Sequence, residues 1–253
     1  MTLLDALLIV VAGIGAGTIN TIVGSGTLIT FPTLLLLGVP AVTANISNSV
    51  GLVAGGVTGV AGYRREIAGS VSDLLALVPW SIVGAVMGAL LLLVLDPAAF
   101  AAIVPALILV GILLVVFGPQ LSRVAARNRS AAQGGWHRWA LRVSVMLTGV
   151  YGGYFGAAQG VILMGILSIL TAENLQRLNG WKNVLGTVAN GVAALVFITV
   201  APHHVDWAVA GLIALGALIG GVLGSTIGRR LSPGVLRAVI VVIGVVAIVR
   251  VVL

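Results

Sequence analysis

The sequence lacks cysteine and has very few charged residues. Of its 253 residues, 13 are Lys or Arg and 6 are Asp or Glu, so charged side chains make up 8%. Water-soluble domains carry about 25%. The absence of cysteine excludes disulfides, a thiolate nucleophile and cysteine metal ligands. The shortage of charge excludes an ordinary soluble enzyme.

Apolar residues take up most of the chain. Hydrophobic residues make up 60% of the sequence, and the mean hydropathy is +1.22. At about 20 apolar residues per crossing, this length holds roughly eight membrane-spanning helices with little left over. We therefore predict an all-α polytopic membrane protein whose main partner is the lipid bilayer, with no room for a catalytic domain outside it.

No motif points to catalysis, a metal or a cofactor. The sequence contains no Ser/His/Asp, HExxH or phosphate-loop signature. His203, His204 and Asp206 lie close together but lack further ligands for a metal. We therefore expect no enzyme activity, no metal site and no cofactor.

The formal net charge is +7. Its basic residues are spread thinly between apolar runs, and no basic helix or aromatic-basic patch is present, which argues against a nucleic-acid partner. In a polytopic membrane protein, an excess of Lys and Arg mainly indicates which loops face the cytoplasm.

Ten apolar segments are predicted along the chain. Eight are long enough to span a membrane, and two are short and follow glycine-containing stretches. The long segments lie near 3–23, 41–62, 73–95, 98–118, 139–156, 178–200, 206–228 and 233–253, and the short ones near 27–38 and 160–171.

The two halves of the chain resemble each other. Residues 17–24 align with 149–156, and in both halves a short apolar segment follows. Further matches join Asn48, Gly51, Ala54 and Gly56 to Asn183, Gly186, Ala189 and Gly191, and join Gly84 and Gly88 to Gly216 and Gly220. We predict two homologous transmembrane repeats, 1–118 and 139–253, joined by a basic cytoplasmic linker, 119–138.

Charge placement favours an inverted arrangement of these repeats. If the short segments cross the membrane, each half has an odd number of crossings, and every Lys and Arg except Arg250 falls on one side. Asp5, Asp96, His203, His204 and Asp206 fall on the other side. If the short segments instead dip in and return, Arg229 and Arg230 lie opposite Arg64 and Arg65. The positive-inside rule therefore favours full crossing with both termini outside.

The two short segments point to a binding site. Paired short or interrupted helices in matching positions of inverted halves mark transporter sites at the bilayer midplane. Residues 24–27 would present free N–H groups and hydroxyls at the positive end of a half-helix, which suits an anion, and 156–160 would do the same from the other half. The alternative is that these glycines only permit close helix packing.

Polar residues begin the next helix of each half. Asn45 and Ser49 share one helix face, as do Asn179 and Asn183, with Asn190 two turns after Asn183. Amides at membrane depth either bond neighbouring helices or face a hydrated site. The matched pair of Asn48 and Asn183 favours a site.

Lys182 is the most informative single charge. It lies near the start of an apolar helix beside the asparagines, where it could counter an anionic substrate. The alternative is that its side chain extends to the basic membrane interface. Asp73 and Asp206 could couple protons from the membrane edge or simply cap helices.

These motifs resemble those of a known transporter family. Residues 17–32, 44–49 and 62–66 in the first half, with 149–160 and 178–183 in the second, are similar to the sulfite exporter TauE/SafE family, which includes permeases of the 4-toluene sulfonate uptake type. The resemblance covers nearly the whole chain and implies a multi-pass permease of the bacterial inner membrane for sulfite, sulfonates or related organic anions. One departure is that Ser25 and Thr27 flank Gly26 where relatives often have a run of glycines.

The sequence therefore predicts a secondary transporter of a small anion, working by alternating access around a midplane site, with proton coupling left open. A passive anion channel and a non-transporting membrane scaffold are the alternatives. The small-residue faces at Gly84/Gly88 and Gly216/Gly220 could pack helices within one chain or form a homodimer. The predicted substrate-binding residues are Asn20, Thr21, Gly24, Ser25, Gly26, Thr27, Asn45, Asn48, Ser49, Tyr154, Gly156, Gln159, Gly160, Asn179, Lys182, Asn183 and Asn190.

Overall fold

The computed structural model describes residues 1–127, 135–226 and 233–252, and within these ranges the chain is α-helical with no strand. Each of the ten predicted segments overlaps a helix, although the long helix within 73–95 begins only at Val78. The helices are α1 (Leu3–Ile22), α2 (Thr27–Leu36), α3 (Ala41–Gly62), α4 (Arg64–Ile67), α5 (Val71–Leu75), α6 (Val78–Val94), α7 (Pro97–Arg127), α8 (Gly135–Tyr154), α9 (Gln159–Leu170), α10 (Leu175–Val200), α11 (Trp207–Thr226) and α12 (Pro233–Val252). Short 3₁₀ turns occupy Ala68–Ser70 and Pro202–His204.

Polar side chains cap several helix starts. Thr2 and Asp5 form a reciprocal capping box at α1. The Asp96 carboxylate accepts a hydrogen bond from the Ala98 N–H at 2.7 Å, at the start of α7. The Asp206 carboxylate accepts one from the Val209 N–H at 3.0 Å, at the start of α11. Asp206 therefore caps α11, which is one of the two roles considered for it from the sequence.

The predicted span at 73–95 is broken near its start. Residues 64–75, here called the elbow, are bent by 75° from α6, which begins at Val78. Pro79 lies in the first turn of α6, where its missing N–H and fixed φ suit a helix start but cannot continue a preceding helix. The elbow is therefore a separate segment, bent away from α6, rather than a continuation of that helix.

Several helices are suited to crossing a membrane. Within the described ranges, four are long and apolar enough, and the bent pair of elbow and α6 would make a fifth. The four are α1, the Pro97–Gly118 part of α7, α10 and α11. At 22 residues α3 has sufficient length, but its asparagines and serines reduce its hydropathy. Four or five such helices are typical of a multi-pass membrane protein.

The helices pack in matching pairs around α3 and α10. Helix α1 packs on α11 as α8 packs on α6, and α2 contacts α12 as α9 contacts α7. Small residues allow the closest of these approaches: a Cβ atom on Gly88 would lie 2.0 Å from the Val150 carbonyl oxygen, and one on Gly220 would lie 2.1 Å from that of Ile14. Both small-residue faces are thus covered by helices of the same chain.

Adding one methyl group at this contact should separate α11 from α1. We expect Gly220→Ala to lower the stability by about 1–3 kcal/mol because the backbone of α1 leaves no space for it. Gly211→Ala, on the same helix with nothing within 4 Å, is the matched control and should be neutral or stabilising. Thermal unfolding in detergent measures both, and equal midpoints would contradict the assigned contact.

The predicted linker is only partly described. Helix α7 continues to Arg127 and α8 begins at Gly135, so both ends of the 119–138 stretch are helical. Arg129, within it, and Arg229 and Arg230 after α11 lie outside the described residues.

Candidate functional site

Two helix breaks lie in the interior of the protein. The first separates α1 from α2 at residues 23–26, and the second separates α8 from α9 at 155–158. Gly24 and Gly156 occupy matching positions in these breaks with φ of +86° and +76°, a conformation that favours glycine. Such breaks free backbone N–H and C=O groups, which must find partners within the protein or in a hydrated cavity.

The two breaks touch each other. The N–H of Gly160 donates to the carbonyl of Gly24 at 2.9 Å. A Cβ atom on Gly24 would lie 2.3 Å from the Gly160 Cα, and one on Gly160 would lie 2.4 Å from the Gly24 Cα. Backbones from the two halves of the chain therefore meet without any intervening side chain.

Polar side chains from the other half cap the broken helix ends. Lys182 of α10 donates through Nζ to the Thr21 carbonyl at 2.9 Å and the Asn20 carbonyl at 3.3 Å, at the C-terminus of α1. Asn183 also donates to the Thr21 carbonyl, at 3.2 Å. In α3, Asn45 donates to the Tyr154 carbonyl at 2.8 Å, at the end of α8. Each long central helix thus satisfies a break in the opposite half.

Lys182 is an enclosed cation. Its side chain is only 2% exposed, so it does not extend to the membrane interface. A positive charge at a helix C-terminus is favourable, and its two partners are the carbonyls at the end of α1. In the part of the chain that the structure describes, the ion pair found is between Arg177 and Glu173, and no carboxylate lies within 4.0 Å of Lys182.

Lys182 borders a small polar cavity between the breaks. The cavity volume is about 20 Å³, enough for about one water molecule. Its walls come from α1, α2, α9, α10 and both breaks. The lining residues are Asn20, Gly24, Thr27, Gly156, Gln159, Gly160, Lys182, Asn183, Gly186, Thr187 and Asn190.

The lining favours negative charge. It contains one ammonium, four carboxamides and two hydroxyls, and no Asp or Glu. Carboxamides and hydroxyls donate hydrogen bonds to oxyanions, and Lys supplies the compensating charge. The arrangement is suited to holding a small anion and offers no carboxylate for a metal ion.

Nine of the predicted substrate-binding residues lie on this cavity. They are Asn20, Gly24, Thr27, Gly156, Gln159, Gly160, Lys182, Asn183 and Asn190. Ser25 and Gly26 in the first break, and Thr21 in the last turn of α1, are next to them and do not line the cavity. Thr21 contributes its carbonyl to Lys182, whereas the Ser25 hydroxyl is buried without a hydrogen bond.

The remaining predicted residues, Asn45 among them, do not line the cavity. Asn48 accepts a hydrogen bond from the Thr30 hydroxyl and donates to that of Thr27 at 3.2 Å. Ser49 donates to the Asn45 carbonyl at 2.9 Å. Asn179 donates to the Tyr63 hydroxyl at 2.7 Å. Tyr154 stacks edge-on against Phe100, with ring centroids 5.6 Å apart.

Two lining residues, Gly186 and Thr187, are absent from the predicted set. The sequence contains an indication of each. Gly186 is the repeat partner of Gly51, and Thr187 follows Asn183 by four residues, which places it on the same helix face. The Thr187 hydroxyl donates to the Asn183 carbonyl at 2.7 Å.

Comparison with known proteins places the chain in a family of membrane proteins. Residues 9–251 match the family described as sulfite exporter TauE/SafE. A probable membrane transporter protein of Haemophilus influenzae is 27% identical over 230 residues, covering 91% of this chain and 88% of the relative. No solved structure matches the chain.

Two further relatives carry similar names. The probable membrane transporter protein YfcA of Escherichia coli K12 is 26% identical over 231 residues, covering 91% of this chain and 83% of its own. The probable membrane transporter protein ORF9 of a Sinorhizobium species is 26% identical over 240 residues, covering 95% and 89%. With its apolar helices and a family match over nearly its full length, this chain is a multi-pass membrane protein that belongs to the sulfite exporter TauE/SafE family.

Proposed function

We propose that the protein is a secondary transporter of a small anion, which binds in the cavity beside Lys182. The enclosed ammonium is the observation that carries this proposal. A charge at membrane depth is expensive and is kept where function needs it. Here the carbonyls of Asn20 and Thr21 accept hydrogen bonds from the ammonium but carry no net charge. A bound anion would therefore neutralise it.

The proposed substrate is sulfite, a sulfonate or a related small organic anion. Support comes from the family described as sulfite exporter TauE/SafE and from relatives named probable membrane transporters. The lining of Asn20, Gln159, Asn183 and Asn190 offers several donors for the oxygen atoms of such an anion.

Two inverted repeats, with eight long and two short membrane segments, are the proposed basis of the transport cycle. The paired packing of α1 on α11 and α8 on α6 supports a twofold relation between residues 1–118 and 139–253. The reciprocal capping of α1 by Lys182 and of α8 by Asn45 supports it further. Rocking one half against the other would open the cavity to alternate sides.

The orientation proposed is that of an inner-membrane protein with both termini outside. Arg64 and Arg65, exposed at the elbow, then face the cytoplasm with the basic linker at 119–138.

The cavity volume supports a transporter that changes conformation over a permanently open channel. A space of about 20 Å³ holds about one water molecule, which is less than a conducting pore or a bound sulfite needs. The site must therefore expand for the substrate to bind. This fits alternation between conformations better than continuous conduction.

Flux into proteoliposomes tests the proposal. Purified protein should carry out saturable uptake of radiolabelled sulfite or a sulfonate, accelerated by unlabelled substrate on the opposite side. Non-saturating conductance without counterflow would identify a channel, and absence of flux for every small anion tried would favour a scaffold. Loss of accumulation on adding an uncoupler would establish coupling to protons.

The two matched asparagines should respond differently to substitution. Asn183→Leu removes a donor from the cavity, and loss of one hydrogen bond to a charged ligand should reduce flux about 10- to 100-fold. Thermal stability should change little because Lys182 still bonds the Thr21 carbonyl. Asn48→Leu instead leaves the Thr27 hydroxyl without a partner and should lower the unfolding midpoint. The opposite pattern would move the site from Asn183 to Asn48.

A further inference from the structure

The elbow is fastened to the first two turns of α10. Trp181 donates through its indole N–H to the Ser70 hydroxyl at 2.8 Å, and Asn179 donates to the Tyr63 hydroxyl at 2.7 Å. Arg177 donates to the Glu66 carbonyl at 3.4 Å. These contacts join the first half of the chain, at and just before the elbow, to the second half.

Apolar side chains also pack between the elbow and α10. A Cβ atom on Gly180 would lie 2.8 Å from the Ile67 side chain, so the elbow and α10 are as close as their atoms allow. Tyr63, Ile67, Leu74 and Trp181 belong to one buried apolar cluster. This cluster is separate from the larger core that surrounds α2.

A groove lies beside this turn of α10. Its volume is about 220 Å³, and Trp181 forms part of its wall, whereas the next residue, Lys182, borders the central cavity. The groove lies between the end of the elbow, the start of α8 and the α9–α10 connection. It is lined by Asp73, Ala76, Leu77, Arg138, Leu141, Arg142, Thr171, Ala172, Glu173 and Trp181.

The charges of the groove suit an approaching anion. Arg138 and Arg142 lie one helical turn apart on α8 and supply two positive charges, and the guanidinium of Arg142 lies over the Trp139 ring. Of the two carboxylates, Glu173 is paired with Arg177 at 2.5 Å, and Asp73 lies in the same wall. With Glu173 paired to Arg177, the two arginines and Asp73 leave one net positive charge, which raises the local concentration of an anion.

We propose that this groove is the vestibule in which the substrate anion first binds, and that the Trp181 turn of α10, held by the elbow, closes its passage to the central cavity. The inference rests on the proposed transport function. Opening requires Ser70 of the elbow to release Trp181 and the adjacent Tyr63 to release Asn179, which joins the central cavity of about 20 Å³ to the groove.

Cysteine labelling tests the closure without requiring transport, because the native chain contains no cysteine and gives no background. Thr187→Cys places a thiol in the central cavity. In vesicles of each orientation, a membrane-impermeant thiosulfonate should label it slowly. Adding Tyr63→Phe and Ser70→Ala removes the two hydrogen bonds that Tyr63 and the elbow accept from α10, and should raise the labelling rate about tenfold from the elbow side only.

The matched control is Ser81→Ala. The Ser81 hydroxyl donates to the Leu185 carbonyl at 3.1 Å, so this change also removes a bond between the first half and α10, but outside the elbow. Labelling should stay at the original rate. Trp181→Phe is a second elbow variant that keeps an aromatic ring in place. Unchanged labelling in folded elbow variants, or equal acceleration from both faces, would overturn the closure.

Blocking the groove tests the vestibule itself. Ala76→Cys places a thiol in the groove, and a bulky thiol reagent there should abolish flux from the elbow side. Ser72→Cys, exposed on the elbow outside the groove, should tolerate the same reagent. Undiminished flux in modified Ala76→Cys would refute the vestibule. If no protein transports anions but the labelling rates change as expected, the proposed transport function is wrong and the proposed closure by the elbow is retained.

Discussion

Lys182→Met should abolish anion transport while leaving the protein folded. Methionine keeps the length of the side chain and removes its charge. At a separation of about 4 Å and an effective dielectric constant near 20, the lost attraction is about 4 kcal/mol, so flux at low substrate concentration should fall at least about a hundredfold. The measurement is uptake of radiolabelled sulfite or sulfonate by proteoliposomes.

The folded structure should tolerate this change because Asn183 still donates to the Thr21 carbonyl. Arg65→Met, which removes an exposed positive charge on the elbow, is the matched control and should retain full flux. A ligand-induced thermal shift gives a second readout: sulfite should stabilise the native protein and the Arg65 variant but not Lys182→Met. Equal flux or an equal shift in all three proteins would eliminate Lys182 from the site.

Gly24→Ala should destabilise the protein severely. The residue has a φ of +86°, which a side chain adopts at a cost of about 1–2 kcal/mol. A Cβ atom there would also lie 2.3 Å from the Gly160 Cα, so the two breaks must move apart and the hydrogen bond between them must lengthen. We expect a total loss of several kcal/mol, or failure to recover folded protein.

Gly38→Ala separates the two causes. Gly38 has a similar φ of +81°, but a Cβ atom there would have nothing within 4 Å. Only the conformational cost of about 1–2 kcal/mol should remain. Thermal unfolding and the yield of monodisperse protein measure both variants. If Gly24→Ala is no more harmful than Gly38→Ala, the close contact between the two breaks is not required for the fold.

Most helix positions could be predicted from hydropathy and glycine. The predicted segment 41–62 has the bounds of α3, and the short segments at 27–38 and 160–171 correspond to α2 and α9. The segment at 73–95 differs because a continuous apolar run gives no sign of a bend. Pro79 is the sequence signal for the start of α6, and hydropathy alone cannot show that the residues before it bend by 75°.

The site could be predicted only in outline. Asn183 and Asn190 line the cavity, whereas Asn45, Asn48 and Asn179 bond neighbouring helices, although all five are polar residues in matching parts of the two halves. Helical periodicity tells which residues share a face. It does not tell whether that face meets another helix or an open space, because this depends on helices distant in sequence.

The scarcity of charge and the ten apolar segments by themselves determined a helical membrane protein, and the glycine-rich motifs pointed to the TauE/SafE family, which the family match confirmed. These properties follow from local composition and spacing. Only the tertiary structure decided that Lys182 turns inward to the end of α1 and that Gly24 meets Gly160. The physical reason is that a broken helix end must find its hydrogen-bond partners, and here they come from the opposite half of the chain, more than a hundred residues away in sequence.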